Sequence, residues 1–412
     1  MSKPQTGIDR RSFLKNSLMG VAGAGVLAAA PAALRGQQKA FTAPQAEPQA
    51  GPFVMRKLGK TGVTLPIVSM GVMNSDNDNL VRAVLDAGIV HLDTANGYMR
   101  GRNEEMIGKV LQGRPRDSYF IATKVPGEPR DGRTGLFSPE TTGDKFLATF
   151  DVSLKRLGLE YVDILYIHNV IYRDSVLFEP LMKALATIKK SGKARFVGVS
   201  SHSNEHEVIR AAIESKFYDV VLSGYNFMKS NLAELDKAIA EANQAGLGII
   251  AMKTLAGGYF DRARTQPINT TAALKFALAN PGITTAIPGM TAFDQLEANL
   301  KVARDPKMTD QERKDLKLAV EPEDVLFCQQ CNACLAQCPL RLPIPSLLRG
   351  YMYAYGYRNL GAAYDLVAST GVGTDPCGSC AGCPVRCAQG FDVRARVTDI
   401  ARIQAAPSDL FA

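Results

Sequence analysis

Tryptophan is missing from the 412-residue chain, histidine occurs only 4 times, and no cysteine precedes residue 328. Thiol chemistry is therefore confined to the C-terminal part. A basic excess is also missing from the part that folds. The net charge is +8, but Lys3, Arg10, Arg11, Lys15, Arg35 and Lys39 against Asp9 place +5 of it within residues 1–40 and leave +3 for the rest. A protein built to hold phosphate backbones carries a basic stripe on its folded surface, so nucleic acid is excluded as a partner. No Gly-x-Gly-x-x-Gly follows an early strand, which argues against an open dinucleotide-binding sheet. Beyond residue 34 no hydrophobic run is long enough to span a bilayer. What is there is 46% apolar and 21% charged, a composition that buries a core, over a length that suits roughly two or three folded units.

Residues 1–35 read as an address. Arg10-Arg11-Ser12-Phe13-Leu14-Lys15 sets an arginine pair before a hydrophobic pair, no charge interrupts the run from Asn16 to Leu34, and Ala30-Pro31-Ala32 offers a small-residue cleavage site. The layout resembles a twin-arginine signal, which predicts export of a folded, cofactor-loaded protein by the twin-arginine translocase and a periplasmic location. Left uncleaved, the same run would anchor the protein to the inner membrane, although it barely reaches spanning length and is weakened by Gly and Pro. Residues 36–52, rich in Gln, Ala and Pro, read as a flexible linker.

After a hairpin predicted over 53–66, short apolar runs alternate with helix-period stretches up to about residue 305. Strands are predicted at 67–71, 91–93, 118–124, 161–168, 194–200, 220–225, 248–252 and 284–287, with helices such as 145–157, 177–191 and 231–245 between them. Eight strand–helix units over about 250 residues point to an α/β fold, a (β/α)8 TIM barrel, better than to a doubly wound sheet. Chemistry in such a barrel gathers at the C-terminal ends of the strands. The second strand runs into Asp93 and Tyr98, the third ends at Lys124 and the fourth at His168. Singly these read as a helix cap, a solvated ammonium or a core histidine. Together they aim an acid, a phenol, an ammonium and an imidazole at one cavity. The long segment 126–144, rich in Gly, Pro and charge, follows the Lys124 strand and is expected to shape a substrate pocket.

These residues carry a resemblance to the aldo/keto reductase family over 53 to about 305. It rests on Asp93-Thr94-Ala95-Asn96-Gly97-Tyr98, Asn103-Glu104, Gly108, Ala122-Thr123-Lys124, Tyr166-Ile167-His168, Gly192-Lys193, Gly198-Val199-Ser200-Ser201-His202, Ile287-Pro288-Gly289 and Asn299. The resemblance implies a catalytic tetrad of Tyr98, Asp93, Lys124 and His168 and reversible hydride transfer between a carbonyl or alcohol and NAD or NADP. A phenol, with an ordinary pKa near ~10, is a weak acid at neutral pH. An adjacent ammonium favours the phenolate, and a carboxylate holds the ammonium in place. By the same resemblance Ser200 and Ser201 hold the nicotinamide carboxamide, and Met252, Lys253, Gly289, Gln295 and Asn299 line the rest of the nucleotide site. Met252 replaces the stacking Tyr of many relatives, and Gly289 and Gln295 replace a Lys and an Arg that pair with a 2′-phosphate, so the preference between NAD and NADP stays open.

The cysteines fall in two runs of identical spacing, Cys328-x2-Cys331-x2-Cys334-x3-Cys338 and Cys377-x2-Cys380-x2-Cys383-x3-Cys387. Disulfides in an exported protein are one reading and zinc another. Neither calls for two copies of a 2-2-3 spacing, which suits three corners of an iron–sulfur cube plus a fourth ligand. The pattern resembles the two-cluster bacterial ferredoxin. That resemblance implies two 4Fe–4S clusters, one on Cys328, Cys331, Cys334 and Cys387 and the other on Cys377, Cys380, Cys383 and Cys338. Tyr351, Tyr353, Tyr355 and Tyr357, on a predicted helix between the runs, are expected to pack around the clusters. Residues 306–325 read as a charged junction and 326–412 as a small α+β or irregular iron–sulfur domain.

The sum is an exported oxidoreductase acting on a small carbonyl, alcohol or sugar, with a redox partner for the clusters. Two alternatives stand beside it: an electron-transfer or binding protein whose barrel has lost hydride transfer, and a sugar epimerase or lyase that oxidises transiently with a tightly held nucleotide.

Overall fold

Strands β1 (Met55–Lys57) and β2 (Thr64–Pro66) pair antiparallel as the expected hairpin. Eight parallel strands follow: β3 (Met70–Gly71), β4 (His91–Asp93), β5 (Phe120–Pro126), β6 (Val162–His168), β7 (Ala194–Ser201), β8 (Val220–Gly224), β9 (Gly248–Met252) and β10 (Thr285–Ala286). Each pairs with the next, and bridges Val68–Ala286 and Gly71–Gly289 join the last strand to the first, so the sheet closes into a barrel. The computed structural model describes residues 52–131, 134–260, 264–318, 327–390 and 392–411. The expected signal, the linker up to residue 51 and the end of the junction lie outside these residues.

The strands are buried on both faces, as parallel strands under helices must be. Their alternation of side chains fills two compartments. Ala122, Ile164, Tyr166, Leu222 and Ile250 fill the barrel interior, while Ile121, Leu165, Val197, Val221 and Ile249 face the helices. The helix Gly143–Leu157 shows how the outer layer forms. Thr142 caps it by accepting from Lys145 N, Gly158 ends it in a left-handed conformation, and Phe146, Phe150, Leu154 and Leu157 repeat at helical spacing on the buried face. Close strand packing fixes Gly198, where a Cβ would stand 2.3 Å from Val220 O and 2.8 Å from the Tyr166 ring.

The cysteine-bearing segment takes the irregular side of the expectation. Its helices Ile344–Tyr355, Leu360–Ser369 and Val393–Ala401 share a small core of Leu347, Leu348, Val367, Val397 and Ile400, and among the described residues no strand follows β10. Residues 51–412 form one compact unit, so this segment is not a detached appendage. It lies across the barrel mouth. Asn359 Nδ2 donates to Asn74 Oδ1 at 2.9 Å beyond β3, Arg100 pairs with Asp365 beyond β4, and Arg349 Nη1 donates to Asn169 Oδ1 at 3.0 Å beyond β6. Lys229 Nζ donates to Gln329 O at 3.1 Å beyond β8, and the Phe327 ring fills the space that only a glycine leaves at Gly257 beyond β9. In the described part of the junction, the helix Asp310–Leu318 docks on the barrel through Lys275–Glu312 at 2.8 Å.

Candidate active site

Parallel register brings the expected tetrad together. Asp93 ends β4 opposite Ala122, and Lys124 lies two residues farther along β5, opposite Tyr166 and two short of His168 on β6. Tyr98 follows β4 and opens a tight turn in which Met99 and Arg100 take positive φ. Lys124 is 1% exposed. Its ammonium donates to Asp93 Oδ1, to Thr94 O at 2.6 Å and to Tyr98 Oη at 3.1 Å, which uses all three of its protons. Burial alone would lower the Lys124 pKa, but Asp93 and Tyr98 raise it above the ordinary lysine value, so the ammonium stays charged.

Tyr98 departs from the sequence expectation. Lys124 does pull its pKa down, yet burial outweighs that pull and Asp93 opposes it, so the phenol sits above its ordinary value and keeps its proton. The His168 ring stands edge-on to Tyr98, 5.9 Å between centroids. Burial, followed by Lys124, Arg130, Arg349 and Lys253, holds His168 well below the usual imidazole value, leaving it neutral. Asn103 and Glu104, quoted above only as motif residues, brace the site. Thr94 Oγ1 donates to Asn103 Oδ1 at 2.6 Å, Asn103 Nδ2 donates to Val72 O at 2.9 Å, and Thr123 Oγ1 donates to Glu104 Oε1 at 2.7 Å.

The expected nucleotide residues fall into two groups. Ser200 and Ser201 are fully buried, the first accepting from Asn169 N at 2.9 Å and the second donating to Ser203 O at 2.7 Å. Met252 ends β9, and Lys253, the next residue, meets the Tyr353 and Tyr357 rings of the cysteine-bearing segment. Gly289 and Gln295 are instead exposed, Gln295 Oε1 being occupied by Thr291 N at 2.8 Å, and Asn299 is half-buried on the helix Phe293–Arg304.

A cavity of about 690 Å³ opens over Tyr98 and His168, with Arg130, Arg349 and Tyr353 in its wall. The sequence placed Tyr353 only around the cysteines and gave no role to Arg349. Tyr353 packs in the core that includes Cys334 and Cys338, and the helix Ile344–Tyr355 also turns it toward Lys253, whose ammonium lies 4.7 Å from its ring centre. Burial would raise the Tyr353 pKa, but Lys253 and Arg349 together bring it below the ordinary phenol value. The available signal was Arg349 itself, the one charge in that apolar helix, one turn from Tyr353. A second, smaller cavity of about 30 Å³ lies beside it, bounded by His202, Lys253, Cys328 and Arg349.

All eight cysteines are free of disulfides. Their thiols act on one another in two sets: Cys328, Cys331, Cys334 and Cys387 in one, and Cys338, Cys377, Cys380 and Cys383 in the other. Burial pushes the Cys328 and Cys334 thiols up to about 12. Gln330 N donates to Cys328 Sγ and Gln389 N to Cys387 Sγ, each at 3.3 Å. Gln337 ties the two runs by accepting from Arg386 N at 2.7 Å. Among the described residues no group of three or more His, Cys, Asp or Glu is arranged to hold a single metal ion.

Comparison with known proteins bears on the barrel. A family model described as "Aldo/keto reductase family" matches residues 62–272, a stretch without cysteine. L-glyceraldehyde 3-phosphate reductase of Escherichia coli is 36% identical over 168 residues, which cover 38% of this chain and 47% of that protein, so the chain spans about half the length of this relative. L-galactose dehydrogenase of Arabidopsis thaliana is 27% identical over 286 residues, covering 60% of this chain and 86% of that protein. A solved aldo-keto reductase from Bacillus halodurans, in its holo form, superposes with a TM-score of 0.53 at 22% identity, covering 66% of this chain and 97% of that one. At that identity the likeness speaks for the fold alone.

Proposed function

The chain belongs to the aldo/keto reductase family, and on that premise we propose that it is an NAD(P)-dependent oxidoreductase interconverting a small carbonyl compound and its alcohol, with Tyr98 as the acid–base group. The observation that carries the reading is the buried Lys124 ammonium bonded at once to Asp93, Thr94 O and Tyr98. A nicotinamide, when bound, supplies or accepts the hydride. The chain supplies the proton. Tyr98, kept protonated by burial, gives its proton to the carbonyl oxygen, and the Lys124 ammonium at 3.1 Å stabilises the phenolate left behind. Asp93 holds that ammonium, and neutral His168 can offer the same oxygen a hydrogen bond without competing as an acid. In the reverse direction the phenolate takes the proton of the alcohol.

The residues fit a nicotinamide at the barrel end, where the cavity of about 690 Å³ opens onto Tyr98 and His168. Ser200 and Ser201 would hold its carboxamide, and Met252, Lys253, Gly289, Gln295 and Asn299 the remainder. The family generally works with NADP(H), yet Gly289 and Gln295 bring no cation to a 2′-phosphate. Sugar-sized aldehydes are the substrates that the names of the two curated relatives suggest.

The cysteines would hold two 4Fe–4S clusters, one on Cys328, Cys331, Cys334 and Cys387 and one on Cys338, Cys377, Cys380 and Cys383. Support comes from the donor set: eight free thiols in two mutually acting groups, with backbone N–H bonds to Cys328 and Cys387 of the kind that tune cluster sulfurs. Such clusters brace the segment or pass single electrons to a redox partner. The arginine pair supports export through the twin-arginine translocase to the periplasm, and among the described residues no helix is long and apolar enough to cross a membrane.

The protein purified without oxygen should oxidise NADPH or NADH in the presence of short aldehydes. Tyr98→Phe should lower kcat about 1000-fold with iron content unchanged. Neither turnover nor nucleotide binding by the parent protein would overturn the reading.

A further inference from the structure

Among the described residues most buried cations meet a carboxylate. Lys124 meets Asp93, Lys229 meets Glu205 at 2.5 Å and Arg116 meets Asp163 at 2.7 Å. Arg130 feels the charge of Glu128 and is spent on the backbone, donating to Gly127 O at 2.9 Å, Asn169 O at 2.5 Å and His168 O at 2.6 Å. Arg349 and Lys253 are different. Arg349 is 4% exposed in an otherwise uncharged helix, its Nη1 reaches only the neutral Asn169 Oδ1, and its Nε is buried without a partner. Lys253, one residue beyond β9 at φ 60°, holds its ammonium over Tyr353 and Tyr357, 4.7 and 4.9 Å from the ring centres. Among the described residues no carboxylate pairs with either.

A guanidinium withdrawn from water with an unused N–H is unfavourable unless something supplies the missing charge. Arg349 lines the same cavity as Tyr98 and His168, and its planar fork matches a carboxylate or a phosphate. Resting on the oxidoreductase reading above, we propose that Arg349, seconded by Lys253, forms an anion subsite at the barrel mouth, and that the substrate is a carbonyl compound bearing a carboxylate or phosphate. The cysteine-bearing segment thus completes the substrate pocket. It brings Arg349 from a helix about 180 residues away in sequence from the Asn169 that orients it, and it places the anion in the cavity where Tyr98 meets the carbonyl.

Two other negative groups could claim Arg349: the diphosphate of the nucleotide, and a cluster on Cys328, whose charge bears on Arg349. Kinetics with the full, cluster-loaded protein separate them. With saturating nucleotide, 4-oxobutanoate should show a KM about 30-fold below that of butanal, a neutral aldehyde of equal chain length. Arg349→Gln should remove most of that preference, and Arg349→Lys should restore part of it. Inorganic phosphate should compete with 4-oxobutanoate and not with the nucleotide. Equal KM values for the two aldehydes would overturn the proposal. So would phosphate competing with the nucleotide alone, or an Arg349→Gln protein that loses iron while keeping its aldehyde preference. Calorimetric binding of 4-oxobutanoate, weakened by Arg349→Gln, tests the subsite without turnover. Binding without turnover would leave the subsite standing and sink the oxidoreductase reading, while absence of binding would sink the subsite.

Discussion

The barrel and the segment that caps it handle buried charge in opposite ways. In the barrel, Asp93 and Lys124 satisfy each other on adjacent strands, and Asp163 takes both Arg116 and Arg195 at 2.7 Å. In the segment, Arg349 has no acid and the eight thiols are buried or half-buried, those of Cys328 and Cys334 displaced far from ionisation. The barrel pairs most of its buried cations internally, Lys253 excepted, and has its own broad apolar core. The segment has a small core and leaves its thiols and Arg349 without ionic partners in the described residues. On the proposed reading, a rigid strand end would hold the proton donor while the cap would supply ligands and selectivity.

The largest effect that tests this contrast is on iron. Cys387→Ser and Cys338→Ser should each lose about half the iron, because each cysteine acts with the three thiols of the other run. Only Cys387→Ser should also raise the aldehyde KM, since its set includes Cys328, whose neighbours Phe327 and Gln329 touch the barrel. Iron analysis with steady-state kinetics checks both. Equal KM effects would mean that the segment responds as one block.

Next comes core packing. Leu165 on β6 and Leu347 in the segment are both fully buried. Leu165→Ala should destabilise the barrel by about 2–5 kcal/mol and lower its unfolding midpoint with iron retained. Leu347→Ala should release iron before the barrel melts. Coincident melting and iron loss in both variants would show that the two cores unfold together.

The extent to which each region was legible follows from the same contrast. β4 and β9 lie where the alternation predicts them, and other boundaries move by a few residues where bridges replace full ladder pairs. The cluster of these residues was legible because strand order alone brings Asp93, Lys124 and His168 to one rim. Tyr98's retained proton was not, since burial, which overrides Lys124, has no sequence signature. Neither was the capping position of the segment. Gln329 on Lys229 and Asn359 on Asn74 are contacts between residues 100 and 285 apart, which no local period encodes. Tyr353 looked like one of four equivalent tyrosines until the helix gave it a direction.

A smaller effect concerns pH. Tyr98 must be protonated to donate, and its pKa lies above the ordinary value of 10.0, so carbonyl reduction should stay level through neutral pH and fall only as pH rises through that raised value. His168 is neutral at its depressed value, so no loss should accompany titration near the usual imidazole pKa of 6.5. A kcat profile breaking near pH 6.5 would mean that the cap leaves His168 wetter than its burial implies.

The smallest effect is at the seam between the regions. Arg100 Nη2 meets Asp365 at 3.2 Å, and Arg100 Nη1 also donates to Ser408 O at 3.2 Å, with both side chains partly in solvent. Exposed pairs of this kind contribute about 0–1 kcal/mol because water screens them and ordering two long side chains opposes the gain. A double-mutant cycle of Arg100→Ala and Asp365→Ala, read by thermal unfolding, should therefore give a coupling below about 1 kcal/mol. Docking should persist in the double variant, held by Phe327 against Gly257 and by the Asn74–Asn359 bond. A coupling above about 2 kcal/mol would place the grip of the cap in its surface charges instead of its buried contacts. The cap would then detach with rising salt, and the contrast between a self-sufficient barrel and a ligand-dependent cap would have to be redrawn at the seam.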